Sequence, residues 1–286
     1  MSNTNDIFIS ADSTCDLSPE LLETFDVSLL PLYITMGEKT YRDGVNTSPE
    51  AMFSYVARTG ELPKTAAVAV ADYLSVFSAQ RALGRDVIHV DISADMSACY
   101  QSACIAAKEV GDNVYVVDSR NLSTGTGLLV LMARELARRG TPAEKIAEEL
   151  RSAAGRVEAS FVVDTLTYLH KGGRCSAVAA LGANLLSLKP CIEVKDGRMG
   201  VGKKYKGTLK RCLHDYIIDR LQGREDIDPH RIFITYSKID PALPAYAREV
   251  IASIMHFDEV LLTDAGCTIS GHCGPGTLGI LFMRKE

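Results

Sequence analysis

The sequence contains no apolar run approaching the roughly 18 residues that a bilayer-spanning helix requires. Its opening, Met1-Ser2-Asn3-Thr4-Asn5-Asp6, has neither the basic nor the apolar region of a signal peptide. No transmembrane segment is therefore expected, and a cytoplasmic location is. Positive charge is not in excess either: the formal net charge is −5, which argues against a protein that tracks nucleic acid, since that task needs a basic face to displace counterions. The eight cysteines form no C-x-x-C pair and show no Cys/His spacing of the zinc type. They are expected to be reduced thiols, mostly acting as small buried hydrophobes, with neither a metal nor a disulfide. G-x-S-x-G, Walker and H-E-x-x-H motifs are missing, as are internal repeats and low-complexity tracts.

What remains is a globular composition. Of 286 residues, 47% are apolar and 23% charged, enough apolar side chain for a core and too little charge for disorder. The length fits one large or two modest domains. In the first half, Ile7-Phe8-Ile9, Asp86–Ile92 and Asn113–Val117 are short branched apolar runs suited to strands buried on both faces. Helical patterns lie between them. Ser18-Pro19 and Ser48-Pro49 each place an N-cap serine before a first-turn proline, and Thr141-Pro142-Ala143-Glu144 predicts a capping box. Gly60, Gly84, Gly111 and Gly140 end the patterns. Strand–helix alternation implies right-handed crossovers, a parallel sheet, and a ligand site outside the carboxyl ends of its strands.

After Gly155 the pattern changes. A helix-like Leu166–His170 and the turn Lys171-Gly172-Gly173-Arg174 are followed by the apolar Ala177–Leu188. Two strand-like runs then flank Asp196-Gly197, a hairpin dipeptide, and helices around Thr208–Leu221 and Pro244–Met255 alternate with further strands. The expectation is an α/β protein of two domains. Residues 1–156 would form a mainly parallel sheet flanked by helices, with a small β insertion around 27–45. Residues 157–286 would form a second α/β domain with a mixed or partly antiparallel sheet.

Several predicted strand ends carry Ser, Thr and Gly: Ser10–Thr14, Lys64-Thr65, Ser93–Ser97, Ser119 with Ser123–Gly127, and Gly271–Gly276. Each hydroxyl taken singly reads as a helix cap. Gathered on one edge, with unpartnered first-turn amides, they suit a carboxylate or phosphate. Gly274-x-Gly276-x-x-Gly279 matches a dinucleotide fingerprint as a string, but it precedes a strand rather than a helix and no acidic residue follows at the required distance. Its glycines suit a tight turn or a close backbone approach beside a ligand. His89, His214, His230 and His256 read as structural or solvent-facing. His170 and His272 lie beside glycine-rich loops, with His272 preferred as a donor to an anion. Lys203-Lys204-Tyr205-Lys206 with Lys210-Arg211 form a basic cluster, either a solvated face or a patch for an acidic partner.

These motifs together resemble the DegV family of bacterial fatty-acid-binding proteins over essentially the whole chain. The residues that carry the resemblance are Ala11–Leu17, Leu30-Pro31-Leu32, Tyr41-Arg42-Asp43-Gly44, Pro63-Lys64-Thr65, Ser97–Ala103, Val116–Ser119, Leu169–Arg174, Lys189-Pro190 and His272–Gly276. The resemblance implies a long-chain fatty acid enclosed between two α/β domains, with its carboxylate on Thr65 and Ser97 and near His272. Ala98, Ser123, Arg174, Lys206 and Gly274 would be further contacts to the head group or a partner. It also implies a non-enzymatic subunit, without cofactor, that presents the acid to a separate fatty acid kinase for conversion to acyl phosphate. The sequence departs from the family pattern at Ala66-Ala67-Val68-Ala69, at Ala98-Cys99 and at Lys206, where hydroxyls and a planar guanidinium are usual. The alternative is an enzyme acting on a small anionic substrate, with His272 as acid–base and Ser97 or a cysteine as nucleophile. A regulatory or interaction role for the basic cluster is compatible with the lipid reading.

Overall fold

The computed structural model describes residues 6–175, 178 and 188–286. The chain opens with β1 (Ile7–Asp12), α1 (Pro19–Thr24) and β2 (Val27–Leu30), followed by a hairpin of β3 (Tyr33–Met36) and β4 (Lys39–Arg42). Next come α2 (Pro49–Thr59), β5 (Lys64–Ala66), α3 (Val70–Ala82), β6 (Asp86–Asp91), α4 (Cys99–Val110), β7 (Val114–Asp118), α5 (Thr124–Arg138) and α6 (Ala143–Ala154). β2, β1, β6 and β7 lie in that order in one all-parallel sheet. Val87, Ile88, Val90 and Val117 are fully buried in it, as strands covered by helices on both faces should be.

Local signals account for most element ends. The Ser18 and Ser48 hydroxyls accept from the Leu21 and Ala51 amides, each ahead of a first-turn proline. Gly60, Gly84, Gly111 and Gly140 all have positive φ. The capping box expected at Thr141 does not form, because Pro142 is the cap residue and no side chain caps α6. Thr141 is already committed: its amide closes α5 on the Leu136 carbonyl, and Gly140 turns left-handed beside it. The β insertion expected around 27–45 also needs correcting. Val27–Leu30 pairs in parallel with β1, and the small antiparallel sheet is instead β4-β3-β5. Pro31, which has no amide to donate, separates the two ladders.

From Val157 the chain builds a second sheet. Its elements are β8 (Val157–Val162), α7 (Thr167–Gly172), β9 (Leu188–Lys195), β10 (Arg198–Lys206), α8 (Leu209–Leu221), β11 (Ile227–Ser237), α9 (Ala242–Ile254), β12 (Glu259–Asp264), α10 (Cys267–Cys273) and β13 (Thr277–Arg284). The strand order is β10-β9-β8-β13-β11-β12, with only β11 and β12 parallel, so the sheet is mixed, as expected. Asp196 and Gly197 both take positive φ in the β9–β10 hairpin. The apolar stretch Ala177–Leu188 lies, apart from Val178 and Leu188, outside the described residues.

One large apolar cluster runs through both sheets, joining Ile9, Ile88 and Val117 to Ala159, Phe161, Phe233 and Leu281. A second cluster lies beneath α8 and α9, around Tyr216, Ile217, Ile251 and Phe282. Among the described residues no helix is long and apolar enough to cross a membrane.

The parallel sheet also encloses charge. Asp91 accepts from the Tyr73 hydroxyl at 2.8 Å and faces His89 Nε2 at 3.1 Å, and His89 Nδ1 meets Ser10 Oγ at 2.8 Å. Asp12 accepts from the Thr14 amide and hydroxyl and from the Ile92 amide. Burial, reinforced by the Asp91 charge, raises the Asp12 carboxyl to about 6. The folded state therefore binds this proton more tightly than the unfolded one, and stability falls as pH rises from about 4 to 6. Asp12→Asn removes that titration. Its stability relative to the parent should rise by about 2–3 kcal/mol between pH 4 and 7, on top of a constant loss from the missing acceptor. Urea unfolding of both proteins across this range checks it, and a stability difference that stays constant, or that moves against the variant as pH rises, would refute the assignment.

Candidate functional site

At the carboxyl edge of the parallel sheet lies a cavity of about 150 Å³. Its polar lining consists of Thr65, Ser97, Arg174, Thr268 and His272, of which Thr65 and Arg174 both lie close to His272. The rest is apolar, lined by Leu32, Ile92, Met96, Leu122, Met199 and Ile269, with Ala66, Ala67, Ala98 and Cys273 completing the wall. Thr65, Ser97, Ala98, Arg174 and His272, five of the residues singled out from the sequence, thus meet in one place although they come from four separate segments. A smaller apolar space shares Leu122, Ile269 and Cys273 with the cavity and continues inward to Phe161 and Leu281.

Each polar side chain is positioned by an identifiable device. Thr65 lies on β5, paired with Ile34 of β3. Ser97 precedes α4, where its hydroxyl accepts from the Cys99 amide at 3.3 Å and donates to Cys99 Sγ at 3.2 Å. Ala98, the cap residue of α4, has no side chain to cover the remaining first-turn amides. Arg174 is exposed just after the left-handed Gly173 that ends α7. His272 sits in the last turn of α10, not on a loop as the glycines around it suggested. Its Nε2 is 2.9 Å from Thr65 Oγ1, while Nδ1 is buried and without a hydrogen-bond partner among the described residues. Burial, with a contribution from the Arg174 charge, pushes the His272 pKa down to about 4, so the ring is neutral near pH 7.

α10 is held by side chains far away in sequence. Asp43 accepts from the Cys267 and Thr268 amides at 2.9 and 3.0 Å and from the Thr268 hydroxyl at 2.6 Å. Asp16 accepts from the Gly266 amide at 2.8 Å and from Ser123 Oγ at 2.5 Å. The Asp16 carboxyl lies well above its ordinary range because it is buried. Both aspartates fall within segments that carry the family resemblance, but no local pattern marks them as caps for a helix at 267. Thr268, which lines the cavity, is likewise invisible to sequence reasoning. Gly172 has a definite role: a Cβ there would lie 2.5 Å from His272 Nδ1, so the bare backbone makes room for the imidazole.

Three expected contacts fall elsewhere. Ser123 is spent on Asp16 and lines only the inner apolar space. Gly274 is not among the described lining residues; at φ +83° it serves the turn from α10 into β13, where a Cβ would strike the Tyr168 ring at 2.7 Å. Lys206 ends β10 opposite Leu188, exposed and away from the cavity lining. Two hydroxyl-rich loops also serve the interior. Thr124 bonds Thr235, Thr126 bonds Ser119, and Ser13 bridges the Leu32 amide and Asp43. Their hydroxyls are consumed where α5 packs between the sheets, so they are not available to a ligand.

Comparison with known proteins follows the same lines. A family model described as "Uncharacterised protein, DegV family" matches residues 6–285. A DegV domain-containing protein of Clostridium perfringens is 31% identical over 98% of this chain and 99% of its own. Among solved structures, a fatty-acid-binding DegV family protein from Thermus thermophilus superposes with a TM-score of 0.88 at 31% identity, covering 98% of this chain and 99% of that one. A stearic acid-binding protein from Eubacterium ventriosum gives 0.86 at 27% identity, with 98% of each chain covered.

Gly172→Ala is the most direct probe of the histidine's setting. Its methyl group displaces the imidazole and should weaken ligand uptake by about tenfold or more, the cost of about one charge-assisted hydrogen bond. Because Gly172 lies in a helix with negative φ, the fold should tolerate the change. Ligand titration together with a melting curve tests this, and undiminished affinity would show that the imidazole position does not matter.

Proposed function

The chain belongs to the DegV family, and from that membership and the cavity we propose that it binds a long-chain fatty acid. The carboxylate lies among Thr65, Ser97, Arg174 and His272, and the acyl chain follows the apolar wall toward Phe161 and Leu281. The observation that carries this reading is the amphipathic lining of the cavity: hydroxyls, one guanidinium and an imidazole bonded to Thr65, together with a larger set of aliphatic and thioether side chains. The open N-terminus of α4, a helix of 12 residues, adds first-turn amides and the positive end of its dipole to the polar end. With the neutral His272 donating from Nε2 to Thr65 Oγ1, the threonine proton is free for the ligand. The cavity of about 150 Å³ is smaller than the ~300 Å³ or more usual for small-molecule sites, so the tail enters by displacing flexible side chains, for which Met96 and Met199 are suited.

Exposure supports a further step for the bound acid. Arg174 and Ala98 reach solvent at the polar end, so the carboxylate lies near the surface. There a separate fatty acid kinase would reach it and convert it to acyl phosphate. The enzymatic alternative has less support. His272 engages Thr65, Ser97 engages Cys99, and the two do not form a base–nucleophile pair. Burial raises the Cys99 thiol to about 12, far from a thiolate at neutral pH.

Organic extraction and mass spectrometry of protein purified without detergent should recover a long-chain acid. Thr65→Ala and Ser97→Ala should each lose about 1.5–3 kcal/mol in titration with a fluorescent fatty acid, the range for hydrogen bonds to a charged group. Because His272 is neutral, affinity should vary little between about pH 6 and 8. Protein that carries no acid and takes none up would sink the lipid reading; unchanged affinity in both variants would move the head group elsewhere.

A further inference from the structure

A second cavity, of about 370 Å³, shares no described lining residue with the first. It opens where the loop after β7, the end of α6, β8, the β9–β10 hairpin, α8 and the end of β13 meet. Five cationic side chains line it, Arg120, Lys195, Arg220, Arg224 and Arg284, against three carboxylates, Glu158, Glu193 and Asp196. This local excess of positive charge stands in a chain whose net charge is −5.

The carboxylates do not exhaust the donors. Glu158 alone serves Arg220 at 2.6 Å and both terminal nitrogens of Arg224 at 2.8 Å, with Arg284 at 3.6 Å. Glu193 lies 3.4 Å from Arg220 and also pairs with Lys195. Arg224 has a further acceptor in Asp226, outside the cavity lining, and Asp196 pairs with Arg120 at 3.1 Å. The Nε–H of Arg220 is nevertheless buried without an acceptor at hydrogen-bond distance among the described residues, and that of Arg284, 3.6 Å from Glu158 Oε1, lies just beyond it. Interior guanidinium donors are ordinarily satisfied. Donors converging from α8, β13 and the hairpin suit a tetrahedral oxyanion, which accepts from several directions and takes guanidinium groups in pairs. The cavity also falls within the ~300–1,000 Å³ range of small-molecule sites, larger than a bare ion needs.

We propose that this cavity is a second ligand site, for a phosphate-bearing small molecule, read by Arg220 and Arg284 with Arg120, Arg224 and Lys195 supplying charge. It depends on no residue of the lipid cavity and stands or falls apart from it.

Calorimetric titration of the full chain with inorganic pyrophosphate at constant ionic strength tests the site. Saturable binding at a Kd of about 1 mM or tighter is expected, weakened about tenfold in Arg220→Lys, which keeps the charge toward Glu158 but lacks the fork, and about as much in Arg284→Gln. Melting temperature and fluorescent fatty-acid affinity should stay at parental values. Should Arg220→Lys fail to fold, Arg284→Gln and Lys195→Gln decide, the latter at an exposed position and expected to weaken binding a few-fold. No saturation up to about 10 mM, or binding that none of the substitutions weakens, overturns the proposal.

Discussion

Asp16 and Asp43 receive the first amides of a helix that follows them by more than two hundred residues, and the site depends on this contact. α10 has only seven residues, too short to persist by its own hydrogen bonding. Its N-terminal amides have no other acceptor in the helix, and Gly266 offers no side chain to cap it. The two carboxylates satisfy the Gly266, Cys267 and Thr268 amides and the Thr268 hydroxyl together. Carboxyl oxygens are good acceptors for first-turn amides, and a buried cap contributes about 1–2 kcal/mol. The same bonds fix the register of the helix, and with it the distance from His272 to Thr65.

That tether explains why the cavity lies where it does. Thr65 and Ser97 come from the chain before residue 156, His272 and Arg174 from the chain after it, and only contacts between the two halves can set their spacing. The shared apolar cluster brings the sheets together, but hydrophobic contact is non-directional and would tolerate sliding. Directional bonds remove that freedom: Asp16 and Asp43 at α10, Thr124 to Thr235 at α5, and Ser93 Oγ to the Gly197 carbonyl at 2.7 Å. The last of these anchors the loop that leads to Ser97. Polar contacts therefore position what apolar burial merely assembles.

The division between what could and could not be read in the sequence has the same origin. Strands at Ile7, Asp86 and Val114, caps at Ser18 and Ser48, and the Asp196-Gly197 hairpin are decided within a few residues, and local patterns disclose them. Thr65, Ser97, Arg174 and His272 were legible as hydroxyl- and glycine-rich segments and through their family resemblance. Thr141 carries a capping-box pattern but its amide is claimed by the preceding helix, and the alternating run Val27–Leu30 does not say which sheet it joins. Ser123 and Thr124 looked like ligand donors for a similar reason. A hydroxyl near a strand end has the same sequence signature whether it meets a ligand or another hydroxyl. The roles of Asp43, Asp16 and Gly172 are set by partners 224, 250 and 100 positions away, and no local periodicity encodes such a distance.

The departures from the family pattern can be weighed by magnitude. Ala66, Ala67 and Ala98, all within segments that depart from the family pattern, add only methyl groups to the cavity lining, and His272 adds no positive charge near pH 7 because its pKa is lowered to about 4. Arg174 is left as the one cation in the described lining, and it is exposed, where pairing with a carboxylate is worth ~1 kcal/mol or less. The remaining head-group hydrogen bonds to a charged ligand contribute about 1.5–3 kcal/mol each. Burying an acyl chain yields about 0.8 kcal/mol per methylene, so a handful of methylenes outweighs any one of these bonds. On this arithmetic the apolar wall supplies most of the affinity, and the polar end chiefly sets direction. Under the proposed lipid reading, the departures at 66–69 and 98–99 thus alter how the carboxylate is presented more than whether the acid is held. For the proposed fatty acid, a tail-first orientation with the head group near solvent is also the one that transfer by a separate kinase would require.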